Sequence, residues 1–277
     1  MMASKTTWLV AAVPSAVWAK LLYPDLDADK AYDALWNQIL QSSRADGKDP
    51  LADWDEHLSN LKNRRTWMTN QHFTSLHYTN SLGTDLTVGL PDNHIWQGGM
   101  EETETGILFN ANVPTEEIYS APKADAVNGT VYSTRPLVYN GNTIDHFHLT
   151  FKDGKVVDAA AEIGEDVLKK LVAVDEGAGR LGEVALIPYA SPISLSGILF
   201  YETLFDENAS CHLALGASYP TCLEGGTELD KEGLSKAGLN DSMIHVDFMV
   251  GSKDLTITGL KKDGTVVPVF TNGNWAE

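Results

Sequence analysis

The order of patterns along the 277 residues predicts an α+β fold, a mixed, largely antiparallel sheet with flanking helices, rather than regular βαβ alternation. Three observations carry this. The first 70 or so residues place apolar side chains at helical spacing, and the residues from about Phe73 to Ala161 alternate with a period of two. Two Asp-Gly pairs, Asp153-Gly154 and Asp263-Gly264, sit between strand-like runs, where hairpin turns are expected. The whole chain, 1–277, therefore reads as one region, helical over about 15–70 and sheet-rich over about 73–277.

Trp8-Leu9-Val10-Ala11-Ala12-Val13 is apolar but stops at Pro14. It is too short to span a membrane, and Met1 to Lys5 make a weak flank for a signal peptide, so the run reads as a strand and the expected compartment is the cytoplasm. Asp27 and Asp29 can cap a helix whose Leu35, Ile39 and Leu40 share a face. A second helix follows Pro50, with Leu51, Trp54, Leu58 and Leu61 on one side. Thr84 to Gly89 reads as a half-buried strand, and the runs 147–151 and 156–160 read as the arms of a hairpin. Leu255-Thr256-Ile257-Thr258 and Val266-Val267 do the same around the second Asp-Gly. Gly164 to Ala173 has a helical stripe in Val167, Leu168 and Leu171, and Ile198 to Cys211 is expected to be a further helix.

Acidic residues outnumber basic ones 38 to 20, for a net charge of −18, which argues against binding a nucleic acid backbone. Part of that excess can neutralise bound cations. Two cysteines, Cys211 and Cys222, indicate no disulfide framework.

Five segments concentrate unusual chemistry. In Asn112-Val113-Pro114-Thr115-Glu116-Glu117 two adjacent carboxylates follow a proline; on a straight strand they would face opposite sides, so sharing a site needs an irregular backbone. Asp175 to Leu186 opens as a glycine-rich loop and places Glu183 against the apolar run Val184 to Ile187. A carboxylate there needs a cation or a donor, and either a metal or a salt bridge with Arg180 would serve. Phe205 to Gly216 sets His212 among apolar neighbours with Glu207 five residues before it; Cys211 reads as a packing residue. Tyr219 precedes Pro220 and can ligate, donate a hydrogen bond or pack. On a strand, His245 and Asp247 project from one face while Ile244, Val246 and Phe248 project from the other. Together, two histidines and several carboxylates in apolar surroundings suit a pair of Zn, Co or Mn ions about 3.5–4 Å apart. A C-x-x-C pair and an H-E-x-x-H motif are both absent, which excludes a thiolate zinc site and the helical metalloprotease motif.

The phrases Pro114-Thr115-Glu116-Glu117, Gly179 to Leu186, Ser191-Pro192-Ile193-Ser194, Leu204 to Gly216 and His245 to Gly251 resemble, in order and spacing, the metal-dependent aminopeptidases of the aminopeptidase T, aminopeptidase S and PepS type. The similarity runs from about Trp8 to Trp275. It implies Glu117, Glu183, His212, His245 and Asp247 as ligands of two divalent ions, with Glu183 bridging and Glu207 as a further ligand or support. Tyr219 matches the family's active-site tyrosine. Our own addition is Glu116 as the general base, as a free carboxylate beside a ligand. The resemblance further implies release of N-terminal residues from peptides by an activated water, a homodimer, and a preceding α/β domain that this sequence is expected to lack. Two other classes stay open on the residues. A glycosidase built on Glu116 and Glu183 would leave both histidines without a role. A non-catalytic fragment would hold no stoichiometric metal.

Overall fold

Helix starts follow their capping residues. In the computed structural model, which describes residues 6–276, the Asp27 carboxylate accepts from the Lys30 amide and opens the helix Ala28–Ser42, burying Ala31, Leu35 and Ile39 at four-residue spacing. Asp49 caps the helix Pro50–Gln71 through the Ala52 amide, and Pro50 stands in its first turn. That helix buries His57, Leu61 and Met68. Leu51, expected on the buried side, is 80% exposed because no element covers the first turn. The segment Met1 to Lys5, weighed above as a leader flank, lies outside the described residues. The strand expected over 8–13 contracts to Val10–Ala11, which pairs in parallel with Asn112–Val113. Among the described residues no helix is long and apolar enough to cross a membrane.

The period-two segments assemble into a nine-stranded sheet. From one edge its strands are Lys155–Ile163, Asn142–Lys152, Val127–Tyr132, Asp85–Gly89, Phe73–Thr79, Thr256–Lys261, Val266–Thr271 and Asn274–Trp275, with Leu137–Tyr139 paired to Asn142–Lys152. Every neighbouring pair is antiparallel. Both Asp-Gly hairpins form as expected, with Asp153 and Gly154 at φ of 50° and 78°. A second, four-stranded antiparallel sheet runs His245–Met249, His212–Gly216, Leu181–Leu186, Ile118–Ser120. The fold is thus the mixed, largely antiparallel α+β architecture expected.

One expected element is much shorter. Instead of a helix over 198–211, only Thr203–Glu207 is helical. The Asp206 carboxylate accepts from the backbone amides of Phe200 at 2.7 Å and Glu202 at 3.1 Å, which diverts those donors from a helical ladder. Tyr201, at φ 55°, turns the chain the wrong way for a helix.

Three apolar clusters form among the described residues, the smallest around Ala121, Cys222, Leu223 and Leu239; the other two position the site. The larger joins Leu61 and Met68 to both sheets. The smaller packs Ala19, Leu35 and Ile39 against Ile193, Phe200, Leu204 and Phe205. Phe205 stacks on Phe200 with ring centroids 4.8 Å apart and meets Trp18 edge-on at 6.1 Å. The smaller core therefore fixes the segment that carries Glu207. Phe205→Ala is expected to cost about 3–5 kcal/mol in urea unfolding, and a cost under about 1 kcal/mol would show that the smaller core does not hold this segment.

Candidate metal centre

Strand register gathers the site. In the four-stranded sheet Ala214 lies directly opposite Glu183 on one neighbour and Asp247 on the other. Residues opposite one another in antiparallel strands share a face, and the period of two adds His212 and His245 to it. The reverse face carries Val184, Leu213 and Phe248, all in the larger core. The same period brings Glu117 to the site from just before the edge strand Ile118–Ser120, whose Tyr119 pairs with Ala185. Small residues on the middle strand keep the space open: Ala214 stands between the two carboxylates, and Gly216 lies opposite His245. Gly216 has φ 107°, and a Cβ on Gly182 would meet the Ala217 and Gly216 carbonyls at 2.3 Å, so both positions require glycine.

Two groups of three side chains result, Glu117, Glu183 and His212, and Glu183, His245 and Asp247; in each, one ligand atom per residue lies within 4.8 Å of the others. Glu183 belongs to both. His212 Nε2 stands 3.3 Å from Glu117 Oε2 and 4.0 Å from Asp247 Oδ1. His245 Nε2 stands 2.9 Å from Glu183 Oε2 and 3.4 Å from Asp247 Oδ1. The Nδ1 atom of each ring donates to a backbone carbonyl, Ser210 O for His212 at 3.3 Å and Ala217 O for His245 at 2.8 Å. A carbonyl only accepts, so this arrangement holds a proton on each Nδ1 and aims each Nε2 into the cluster, where it carries a proton until a cation replaces it.

The donor set fits divalent cations. Asp247 Oδ1 is buried with no hydrogen-bond partner. Glu207 adds a fourth carboxylate whose pKa is raised well above the usual range by burial and by Glu117 and Asp247. Four carboxylates thus face two imidazoles, an excess of negative charge that burial makes costly unless cations meet it. Between themselves the groups share protons. Burial alone would lower both histidine pKa values, yet Glu117 and the other carboxylates push His212 up to about 10, and Asp247 and Glu183 push His245 up to about 11. Burial lifts Glu183 to about 7 against the pull of its His245 hydrogen bond.

The expected residues do not all converge. Glu207 borders the cluster but belongs to neither three-residue group. Tyr219 sits against His245, ring centroids 4.8 Å apart, and meets Tyr119 edge-on at 5.9 Å. Burial and the surrounding carboxylates raise its pKa, which keeps the hydroxyl a donor. Glu116 was expected as a free carboxylate and is not one: the Arg44 guanidinium grips both of its oxygens, Nη2 to Oε2 at 2.8 Å. It also lies outside both groups. The salt bridge weighed for Glu183 is absent as well, since Arg180 donates to the Ala124 and Asp153 carbonyls and Glu183 meets His245. A glycosidase pair of Glu116 and Glu183 is not favoured, because the one carboxylate is spoken for by Arg44 and the other by a histidine.

Three residues had no local signal in the sequence. Arg44, at φ 51° just past its helix, holds Glu116; His57 Nε2 donates to Thr115 O at 2.7 Å; and Asn208 Oδ1 accepts from the Glu116 amide at 2.7 Å. Together they clamp the backbone that presents Glu117.

A family model described as thermophilic metalloprotease (M29) matches residues 1–275. Aminopeptidase 2 of Geobacillus stearothermophilus is 50% identical over 276 residues, 100% of this chain and 67% of its own length. Aminopeptidase AmpS of Bacillus subtilis is 49% identical, over 98% of this chain and 66% of its own. The solved structure of wild-type AmpT from Thermus thermophilus superposes with a TM-score of 0.93 at 39% identity, covering 100% of this chain and 66% of that one. A 2,5-dihydroxypyridine dioxygenase from Pseudomonas putida, at TM-score 0.52 and 13% identity, shares the fold alone. The chain spans about two thirds of the length of the curated relatives it matches.

Each histidine carries an Nε2 proton at neutral pH that a cation must displace. Metal uptake at pH 7 is expected to release at least two protons per chain, one from each histidine with Glu183 and Glu207 adding to them, and affinity is expected to fall as the pH drops. Calorimetry in two buffers of different ionisation enthalpy reads this directly; uptake without proton release would show that the histidines are not ligands.

Proposed function

The chain belongs to the thermophilic metalloprotease (M29) family, and from that premise we propose that it is an aminopeptidase, releasing single residues from the free N-terminus of peptides. The observation that carries the proposal is the pair of three-residue groups sharing Glu183. They supply two adjacent ligand sets with a common carboxylate, which supports two divalent ions per chain, of Zn, Co or Mn type. When bound, such ions would polarise the scissile carbonyl and acidify a water molecule.

The side chains have distinct tasks in this reading. Glu117, Glu183, His212, His245 and Asp247 hold the ions, with Glu207 completing or supporting the set. The Nδ1 hydrogen bonds of both histidines keep their rings aimed. Tyr219 donates its hydroxyl proton in a hydrogen bond to the oxygen that gains charge as water adds to the carbonyl. Glu116 accepts the proton of the attacking water and returns it to the leaving amine as the C–N bond breaks, which requires that its carboxylate exchange the Arg44 guanidinium for the water. Pairing of two chains as a homodimer, and a cytoplasmic location, belong to the same proposal.

Loaded protein is expected to hold two divalent ions per chain by elemental analysis, to hydrolyse Leu-anilide, to leave N-acetylated peptides intact, and to lose activity on chelation. Metal-replete protein that cuts only internal bonds, or nothing, would overturn the assignment. Glu116→Gln is expected to keep the metal content while lowering kcat by about 10²–10⁴-fold. A loss under tenfold would make Glu116 a brace for Glu117 and remove it from proton transfer.

A further inference from the structure

Beside the cluster lies a cavity of about 300 Å³ whose wall includes His245 and Asp247. Its apolar surface comes from Leu137, Tyr139, Leu199 and Met249, and the exposed side chains of Val138 and Tyr201 mark its mouth. The volume stands at the small end of ligand pockets, enough for a bulky side chain together with the backbone that carries it.

Charge on the wall is lopsided. Glu202, Asp206, Glu207 and Asp247 line the cavity against Arg135 and His245. Four of these six are committed elsewhere: His245 and Asp247 belong to the cluster, Asp206 accepts from the amides of Phe200 and Glu202, and Arg135 donates to Ile198 O at 3.3 Å. Glu202 Oε2 is buried without a hydrogen-bond partner. A carboxyl oxygen in that state calls for a donor, and a primary ammonium supplies three.

We infer that this cavity receives the side chain of the substrate's first residue, with its α-ammonium turned toward the carboxyl groups of the wall, and that Leu199 sets which side chains fit. The inference rests on the aminopeptidase reading and names its substrate class, peptides beginning with a medium to large apolar residue. The residue after the scissile bond fits less well. It brings no α-ammonium to the unpartnered Glu202 oxygen. Leu199 is half-buried on the loop between two short helices, outside the strands that carry the ligands, so it can be changed without moving them.

The test uses the metal-loaded chain with Leu199→Trp, which fills the cavity, and Leu199→Ala, which enlarges it. With Leu199→Trp the ratio of kcat/KM for Leu-anilide to that for Ala-anilide is expected to fall about tenfold or more. With Leu199→Ala the ratio for Phe-anilide to Leu-anilide is expected to rise. Calorimetric binding of the free amino acids gives a readout apart from turnover: the preference for leucine over alanine should shrink in Leu199→Trp. Unchanged ratios in both variants would overturn the subsite, as would a change that tracks the second residue in a Leu-X dipeptide series instead of the first. Wild-type loaded protein that releases no first residue from any of these substrates would instead sink the aminopeptidase reading, and the subsite with it.

Discussion

A carboxylate taken out of water must find positive charge, and the four-stranded sheet, with the segment just before its edge strand, gathers three of them and two imidazoles above Ala214. Desolvating each costs several kcal/mol, more than a neutral hydrogen bond returns. Histidines that take up protons offset part of this, which is why both sit far above their ordinary pKa. They leave a negative excess, with Oδ1 of Asp247 near both imidazoles but without a hydrogen bond of its own. Divalent cations discharge that excess and release the protons, so electrostatic strain and metal affinity are two descriptions of one arrangement.

The rest of the fold can be understood as what makes that arrangement affordable. The reverse face of the same strands, through Val184, Leu213 and Phe248, joins the larger core, so hydrophobic burial on one side sustains charge crowding on the other. From outside the sheet come the two contributions that pairing alone does not set. Glu117 depends on the clamp of Arg44, His57 and Asn208, which runs from the N-terminal helices to the segment before the edge strand. Glu207 depends on the smaller core, where Phe200 and Phe205 stack beneath it. The N-terminal helices thus brace the segments that present both off-sheet carboxylates while contributing no residue to either three-residue group.

How much of this could be read in advance varied with the range of the interaction. His245 and Asp247 were legible because a period of two is local and needs only a strand. Glu183 was legible because a carboxylate heading an apolar run poses an energetic question whatever the fold. The two Asp-Gly turns and the capped helices at Asp27 and Asp49 were legible for the same reason: each is settled within four residues. The helix expected over 198–211 failed because the Asp206 side chain captured backbone donors, a competition that hydrophobic spacing does not register. Arg44 was invisible, since nothing near it in sequence marks it and its partner stands 72 residues away. The Arg44 partner of Glu116 was hidden for the same reason, since a carboxylate beside a ligand shows nothing in sequence of the cation that binds it.

Register ties the ligands to the candidate substrate subsite more tightly than proximity alone. His245, Asp247 and Met249 alternate along one strand and so share a face, and all three line the cavity while the first two also belong to the cluster. A slip of one residue would turn all three into the larger core and bring Val246 and Phe248 out, which the burial of Phe248 against Phe147 forbids. The apolar side of the strand thereby locks the polar side. It fixes not only where the ions are held but how far from them a side chain lying in the cavity must be. The spacing between hydrolytic centre and subsite is then a property of the sheet, and tuning the cavity through Leu199, which belongs to a loop, alters its size while leaving that spacing in place.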